Sequence, residues 1–120
     1  AASVHGMAGK AMPSLPAGFK LRALRQADAE LVDARWSFRS ATSIDLVRSM
    51  VSERLGCVGV EDESGFLRGW ILRYPKGDLG MFHVEEAWRR RGLASQLLQR
   101  AIQELSAADE PCFAFVVEGN

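Results

Sequence analysis

The sequence predicts an α/β (α+β) fold in which helices flank a mixed, largely antiparallel central sheet. Two periodicities lead to this prediction. Apolar and polar residues alternate at 19–24, and apolar residues recur at helical spacing at 44–55 and 92–105. An unbroken apolar run at 112–117 is typical of a central strand that is buried on both faces. Because 120 residues bury enough surface for one core, we expect a single domain.

Suitable residues stand at the ends of the predicted elements. Thr42 or Ser43 provides an N-cap for the second helix, and Gly56 ends it. A polar Asp-Glu-Ser-Gly turn joins two strands in a hairpin. Residues 1–17 are predicted to form a flexible leader, and residues 18–120 a single domain. Within this domain, the predicted elements are a strand at 19–24, helices at 27–36 and 43–55, strands at 57–61, 66–74 and 78–84, a helix at 92–105 and a strand at 112–117.

The charge balance argues against two classes of partner. Fifteen basic and fifteen acidic residues cancel, so no overall positive field draws the chain to nucleic acid or to an anionic membrane. No stretch approaches the roughly 20 apolar residues that span a bilayer. Cys57 and Cys112 each lie in an apolar run, and we expect buried, reduced thiols, which favour an intracellular protein.

The segment at 84–94 leads from a strand into a helix, where free backbone N–H groups and the helix dipole favour an anion. Arg89, Arg90 and Arg91 run against the preference for acidic residues at a helix start, and a bound polyanion would explain them. A solvated surface run and a nucleic-acid site are the alternatives. Gly92 would allow the backbone to approach phosphates closely, and Ala94 is small enough to leave room for them.

The pattern Arg89-x-x-Gly92-x-Ala94, between a strand and an amphipathic helix, resembles the acyl-CoA signature of the GNAT superfamily. The resemblance runs over 18–120 and implies a GNAT-like fold and an N-acyltransferase with acyl-CoA or acetyl-CoA as co-substrate and no metal. It also implies that the loop N–H groups hold the pyrophosphate and that the backbone near Phe82 and Val84 pairs with the pantetheine arm. The implied cofactor-binding residues are Phe82, Val84, Arg89, Arg90, Arg91, Gly92, Leu93, Ala94 and Asn120. Asn120 matches the asparagine that commonly opens the next helix in this superfamily.

Within that superfamily, the chain is most similar to the glycine N-acyltransferases. The similar segments are Trp36-Ser37-Phe38, the hairpin with Gly69-Trp70, and Val117-Glu118-Gly119-Asn120. This closer resemblance implies that the acceptor is a small amine, glycine or another amino acid.

Two residues are candidates for the general base. Asp78 stands where the glycine N-acyltransferases place a glutamate that is thought to take the proton of the amine. A residue of the preceding turn is the other interpretation of Asp78. His83 is the alternative base, or else a structural histidine. If Asp78, Phe82 and Val84 share one sheet face, strict alternation turns His83 to the other.

The resemblance also implies a further helix and two strands after residue 117, so we expect a chain truncated after its fifth strand. In the family a tyrosine of that later part often protonates the departing thiolate, and Tyr74, the only tyrosine, is not assigned this role. Three functions stay open: an acyltransferase, a catalytically inactive acyl-CoA-binding module, and an interaction domain. The sequence predicts no oligomeric state and leaves the compartment open between mitochondria and cytoplasm.

Overall fold

The structure, a computed structural model, describes residues 15–114, and it describes side chains as far as residue 112. Its strands form one five-stranded sheet in the order β1-β2-β3-β4-β5. Strands β1 to β4 are antiparallel to their neighbours, and β5 runs parallel to β4, so the sheet is mixed and largely antiparallel as predicted. The strands are β1 (Lys20–Ala23), β2 (Val58–Glu61), β3 (Leu67–Arg73), β4 (Asp78–Val84) and β5 (Phe113–Ala114).

Three helices accompany the sheet: α1 (Ala29–Arg35), α2 (Ser43–Glu53) and α3 (Leu93–Ala107). The predicted helix at 27–36 starts instead as a 3-10 turn, Gln26–Asp28, because the Asp28 carboxylate accepts a hydrogen bond from the backbone N–H of Arg25 at 2.7 Å. A buried hydrogen bond from Ser43 Oγ to Asp33 Oδ1, 2.5 Å long, joins α2 to α1. The two helices therefore form one layer.

The helices lie on opposite faces of the sheet, and each face has its own core. Val32 of α1 and Val47, Met50 and Val51 of α2 pack with Trp70 in the first core. The second core joins the buried face of α3 to the other face of the sheet. Its buried members are Val58, Val60, Ile71, Leu79, Val84, Leu93, Leu97, Ala101 and Leu105. We call the face of the sheet that α1 and α2 cover the α1/α2 face, and the opposite face the α3 face.

A bulge in the middle of β4 changes which side chains share a face. Trp70 is paired with His83 and Leu72 with Gly80, so one residue of β3 faces two residues of β4. Met81, with φ +49°, is in the bulge and packs in the core of the α1/α2 face. After it, Phe82 and Val84 pack on the α3 face.

Phe82 and Val84 therefore share one face with His83 opposite them, as alternation predicts, but Asp78 does not lie on the face of Phe82 and Val84. His83 stacks on Trp70, on the α1/α2 face, with ring centroids 4.8 Å apart. Leu79 packs on the α3 face, which leaves its neighbour Asp78 beside Tyr74 on the α1/α2 face. Strict alternation fails because the bulge adds one residue between the two halves of β4.

The cysteines differ from each other. Cys57 is buried as expected, donates its thiol hydrogen to the carbonyl of Met50, and has its pKa raised by burial. Cys112 is exposed, contrary to prediction, because it precedes β5.

Some sequence predictions concern other parts of the chain. The leader before residue 15, the strand beyond residue 114 and the position of Asn120 lie outside the described residues. Among residues 15–114, no helix has the length and apolar character needed to cross a membrane.

Candidate functional site

A cavity of about 720 Å³ lies where the end of α1 meets the second half of β4 and the start of α3, and residues of both cores line it. Aromatic side chains form much of one wall, and the loop before α3 forms another. The lining residues are Val32, Arg35, Trp36, Ser37, Phe38, Trp70, Tyr74, Met81, Phe82, His83, Val84, Trp88, Arg89, Arg90, Gly92, Leu93, Ala94 and Ser95. Most of the predicted cofactor-binding residues therefore line one cavity together with His83.

The loop before α3 presents a row of unpaired backbone donors, which we call the N–H cradle (residues 90–95). The first helical bond of α3 runs from the N–H of Gln96 to the carbonyl of Gly92 at 3.2 Å. Within the described chain, no backbone oxygen accepts a hydrogen bond from the N–H groups of the cradle. Arg90 and Gly92 have φ of +65° and +79°, and such left-handed residues turn successive N–H groups towards one concave side. An anion fits this arrangement.

The three arginines of the loop differ in their contacts. The Nε of Arg89 donates to the carbonyl of Val84 at 2.8 Å and ties the loop to the end of β4. The guanidinium of Arg91 lies over the Trp88 ring, 4.9 Å from its centroid, and Arg68 lies over the same ring at 4.7 Å. Among the described residues, no carboxylate forms a salt bridge with these three arginines. Their charge is thus available to an anion.

Hydrogen bonds and a salt bridge between polar side chains connect α1 to the end of β4. The Nε of Arg35 lies 3.2 Å and 3.3 Å from the two carboxylate oxygens of Glu85, and Nε2 of His83 lies 3.3 Å from Glu85 Oε2. Burial acts to raise the pKa of Glu85, but the hydrogen bonds from His83 and Arg35 outweigh it, so this pKa lies below its ordinary value. Glu85 is therefore ionised at neutral pH and orients the His83 ring, which also stacks on Trp70.

Asp78 lies apart from the large cavity. Its side chain is buried, and within the described part of the chain Oδ1 has no hydrogen-bond partner. Its carbonyl accepts a hydrogen bond from Tyr74 N–H at 2.7 Å, so it also closes the turn that joins β3 to β4. Asp78 and Tyr74 line a second, smaller cavity, and Tyr74 also lines the large one. Tyr74 thus stands between Asp78 and the main cavity, and burial raises the pKa of its hydroxyl.

A family model described as FR47-like protein matches residues 55–120, more than half of the chain and all of the N–H cradle. The chain belongs to the FR47-like family. No curated protein sequence gives a significant match.

Solved structures similar to this FR47-like chain include GNAT proteins. A Drosophila protein is 27% identical, with a TM-score of 0.81, over 98% of this chain and 40% of its own length. A GNAT-family N-acetyltransferase from Escherichia coli, solved with CoA, is 24% identical, with a TM-score of 0.61, over 84% of this chain and 62% of its own. A GCN5-related N-acetyltransferase from Sphaerobacter thermophilus is 23% identical, with a TM-score of 0.68, over 82% and 35%.

These likenesses establish the fold of the FR47-like chain as the GNAT fold, in agreement with the sequence prediction. The chain spans less than half the length of the Drosophila and Sphaerobacter proteins.

Three residues of the site were missed by the sequence analysis: Arg35, Tyr74 and Glu85. Arg35 and Glu85 are far apart in sequence, and no local pattern connects them. Tyr74 enters the site because Gly80 leaves space for its ring. Among the described residues, no group of three or more histidine, cysteine, aspartate and glutamate side chains is arranged to hold a metal ion.

Proposed function

We propose that the chain is an acyl-CoA-dependent N-acyltransferase that moves an acyl group from a coenzyme A thioester to a small amine, glycine or another amino acid. The observation that carries the proposal is the N–H cradle opening beside a cavity that reaches the bulge of β4. The likeness to acetyltransferases solved with CoA or acetyl-CoA supports it. The similarity of several segments to glycine N-acyltransferases favours an amino-acid acceptor.

The cradle suits a diphosphate for three reasons. No described residue accepts a hydrogen bond from its N–H groups, its position at the start of α3 adds the positive end of the helix dipole, and Arg89, Arg90 and Arg91 have no carboxylate partner among residues 15–112. A methyl group at Gly92 would meet no protein atom within 4 Å, so the space above this residue is open. We propose that the pyrophosphate of the acyl-CoA occupies it, with the pantetheine arm along Phe82 and Val84.

The first test is calorimetric binding of acetyl-CoA and benzoyl-CoA to the chain and to Gly92→Ala. The added methyl disfavours φ +79° and projects into the cradle, so we expect at least about tenfold weaker binding. Gly65→Ala is the matched control, because Gly65 has φ +86° in the β2–β3 hairpin and carries the same backbone penalty away from the cavity. Both variants should lose about 1 kcal/mol of unfolding free energy, and only Gly92→Ala should lose affinity. A folded chain that binds neither thioester would disprove the proposed cofactor site.

Turnover separates an enzyme from an inactive acyl-CoA-binding module. An amine must give up a proton to attack a thioester, and we propose that Asp78, whose buried Oδ1 has no partner among the described residues, accepts it through water, since Tyr74 stands between Asp78 and the main cavity. Asp78→Asn should lower thiol release at saturating amine by about 100-fold or more, with acetyl-CoA affinity unchanged.

His83→Gln is the comparison variant for this test. A larger loss in His83→Gln than in Asp78→Asn would assign the base to His83. Binding without turnover of any amine by the unaltered chain would favour the inactive module.

A further inference from the structure

The charges inside the cavity are distributed unevenly. Arg35, His83, Arg89 and Arg90 line it, whereas none of its described lining residues is an aspartate or a glutamate. An acceptor with a second positive charge would meet three arginines here, and the nearby Glu85 carboxylate is already engaged by Arg35 and His83. The cavity therefore favours an amine whose remaining part is neutral or negatively charged.

Arg35, like Arg89 of the loop, is a cavity residue whose Nε is held in place while its terminal nitrogens have no described partner. The Nε of Arg35 is engaged by Glu85, and no described residue accepts a hydrogen bond from its terminal nitrogens. The side chain is 46% exposed, although its carboxylate partner is only 20% exposed. Glu85 thus holds the base of the guanidinium while the terminal nitrogens face open space. A planar guanidinium with free terminal donors binds a carboxylate through two parallel hydrogen bonds.

We propose that Arg35 determines acceptor specificity by binding the carboxylate of an amino-acid acceptor. The inference rests on the proposed acyltransferase function and adds the residue that would distinguish an amino acid from a simple amine. Glu85 is the positioning residue, since it fixes both Arg35 and His83 through one carboxylate.

Distances at Glu85 agree with a small acceptor. Arg35 Nε and His83 Nε2 each lie 3.3 Å from Glu85 Oε2, so the two nitrogens are at most 6.6 Å apart, twice that distance. In an α-amino acid the amine nitrogen and the carboxylate oxygens are roughly 3 Å apart. The guanidinium of Arg35 thus starts close to His83 of β4, so a small amino acid bound at Arg35 would lie beside this part of the strand.

The test compares amino acids with their amides, which differ in the carboxylate. Thiol release at saturating acetyl-CoA would be measured with glycine and alanine, and with glycinamide and alaninamide. In Arg35→Met we expect kcat/KM for the amino acids to fall by about ten- to a hundredfold, mainly through KM, because a charge-assisted pair is lost. The amides should change little, and Arg35→Lys should restore part of the loss.

Arg48→Met is the control, since Arg48 is an exposed residue of α2 outside the cavity. It should leave the ratio of amino acid to amide unchanged. An Arg35→Met variant that keeps the ratio of the unaltered chain would overturn the inference, even if its overall activity fell.

A binding measurement keeps this inference separate from the proposed activity. N-acetylglycine and its amide can be titrated calorimetrically into the chain in the presence of CoA. If the unaltered chain prefers the acid and Arg35→Met does not, the carboxylate site is supported. This holds even if no amine is turned over, because the absence of turnover counts only against the proposed enzymatic activity. Equal affinity for acid and amide overturns the carboxylate site even when turnover is robust.

Discussion

Gly80 and Tyr74 show how a single residue shapes the cavity. A Cβ atom on Gly80 would lie 2.1 Å from Cε2 of the Tyr74 ring, closer than any side chain tolerates. The backbone of Gly80 does not require glycine by its dihedral angles, because its φ is not positive. Glycine is therefore needed to leave room for the Tyr74 ring, and not for the backbone conformation. The Tyr74 ring separates Asp78 from the main cavity.

We predict that Gly80→Ala lowers the unfolding free energy by about 1–3 kcal/mol, because the ring has to move. In a Tyr74→Ala background the same change should cost less than about 1 kcal/mol, since the conflicting atoms are gone. Urea denaturation of the four chains in this cycle measures the coupling. Gly59→Ala is the control, because its Cβ would meet Leu67 and Leu24 at 2.7 Å and 2.9 Å, and Tyr74→Ala should give it no relief.

At the residue scale, the sequence predicted the loop better than the rest of the site. Gly92 was expected to allow close backbone approach, and its positive φ and open surroundings agree with that expectation. The left-handed conformation of Arg90 was not predicted, because arginine seldom adopts a positive φ and the residue type gives no indication of it. The roles assigned to Asp78, His83 and the loop residues stay predictions.

Between elements, a partly buried ionic cluster joins β1, the 3-10 turn and β2. Arg22 Nε lies 2.6 Å from Glu61 Oε1, and its Nη1 lies 2.8 Å from Asp28 Oδ2. The three side chains are only 11–13% exposed. Burial acts to raise the pKa of Asp28, but the hydrogen bond from Arg22 and the N–H of Arg25 outweigh it, so the pKa lies below its ordinary value.

A lowered folded-state pKa means that Asp28 contributes stability above its unfolded pKa, near 3.8, and loses it as pH falls through the folded value. At pH 7 we expect Asp28→Asn to lower the unfolding free energy by about 1.5–3 kcal/mol. The difference between the two chains should shrink below about pH 4. Urea midpoints from pH 3 to 7 measure it, with the exposed Asp45→Asn as control. A constant difference across this range would contradict the account.

The type and order of the elements were predicted from periodicity, and the bounds of β4 agree with the prediction. Periodicity works for β2 and α3 because each presents a regular apolar face to one core, whereas β3 is apolar on both faces and contributes to both cores. It failed within β4, where the bulge is set by pairing with β3 and leaves no mark in the pattern of apolar residues.

Considered as a whole, the molecule places its candidate site between layers and not within one of them. Arg35 comes from the helical layer and Glu85 from the end of β4, fifty positions later in the chain. Such a contact depends on how α1 packs on the sheet, and local propensity carries no information about it. The loop could be recognised because its residues are consecutive in sequence, whereas the part of the cavity around Arg35 and Glu85 could not, because its residues are far apart in sequence.

Because of the bulge at Met81, the number of residues in β4 determines which of its side chains face the cavity. Deleting one residue between Leu79 and Phe82 would restore a regular pleat, and every side chain on one half of the strand would then change faces. Either His83 would leave Trp70, or Leu79 would leave the core that it shares with α3. No single substitution has this effect. Relatives that differ by an insertion or a deletion at this point would be expected to differ in acceptor chemistry even where every aligned side chain is the same.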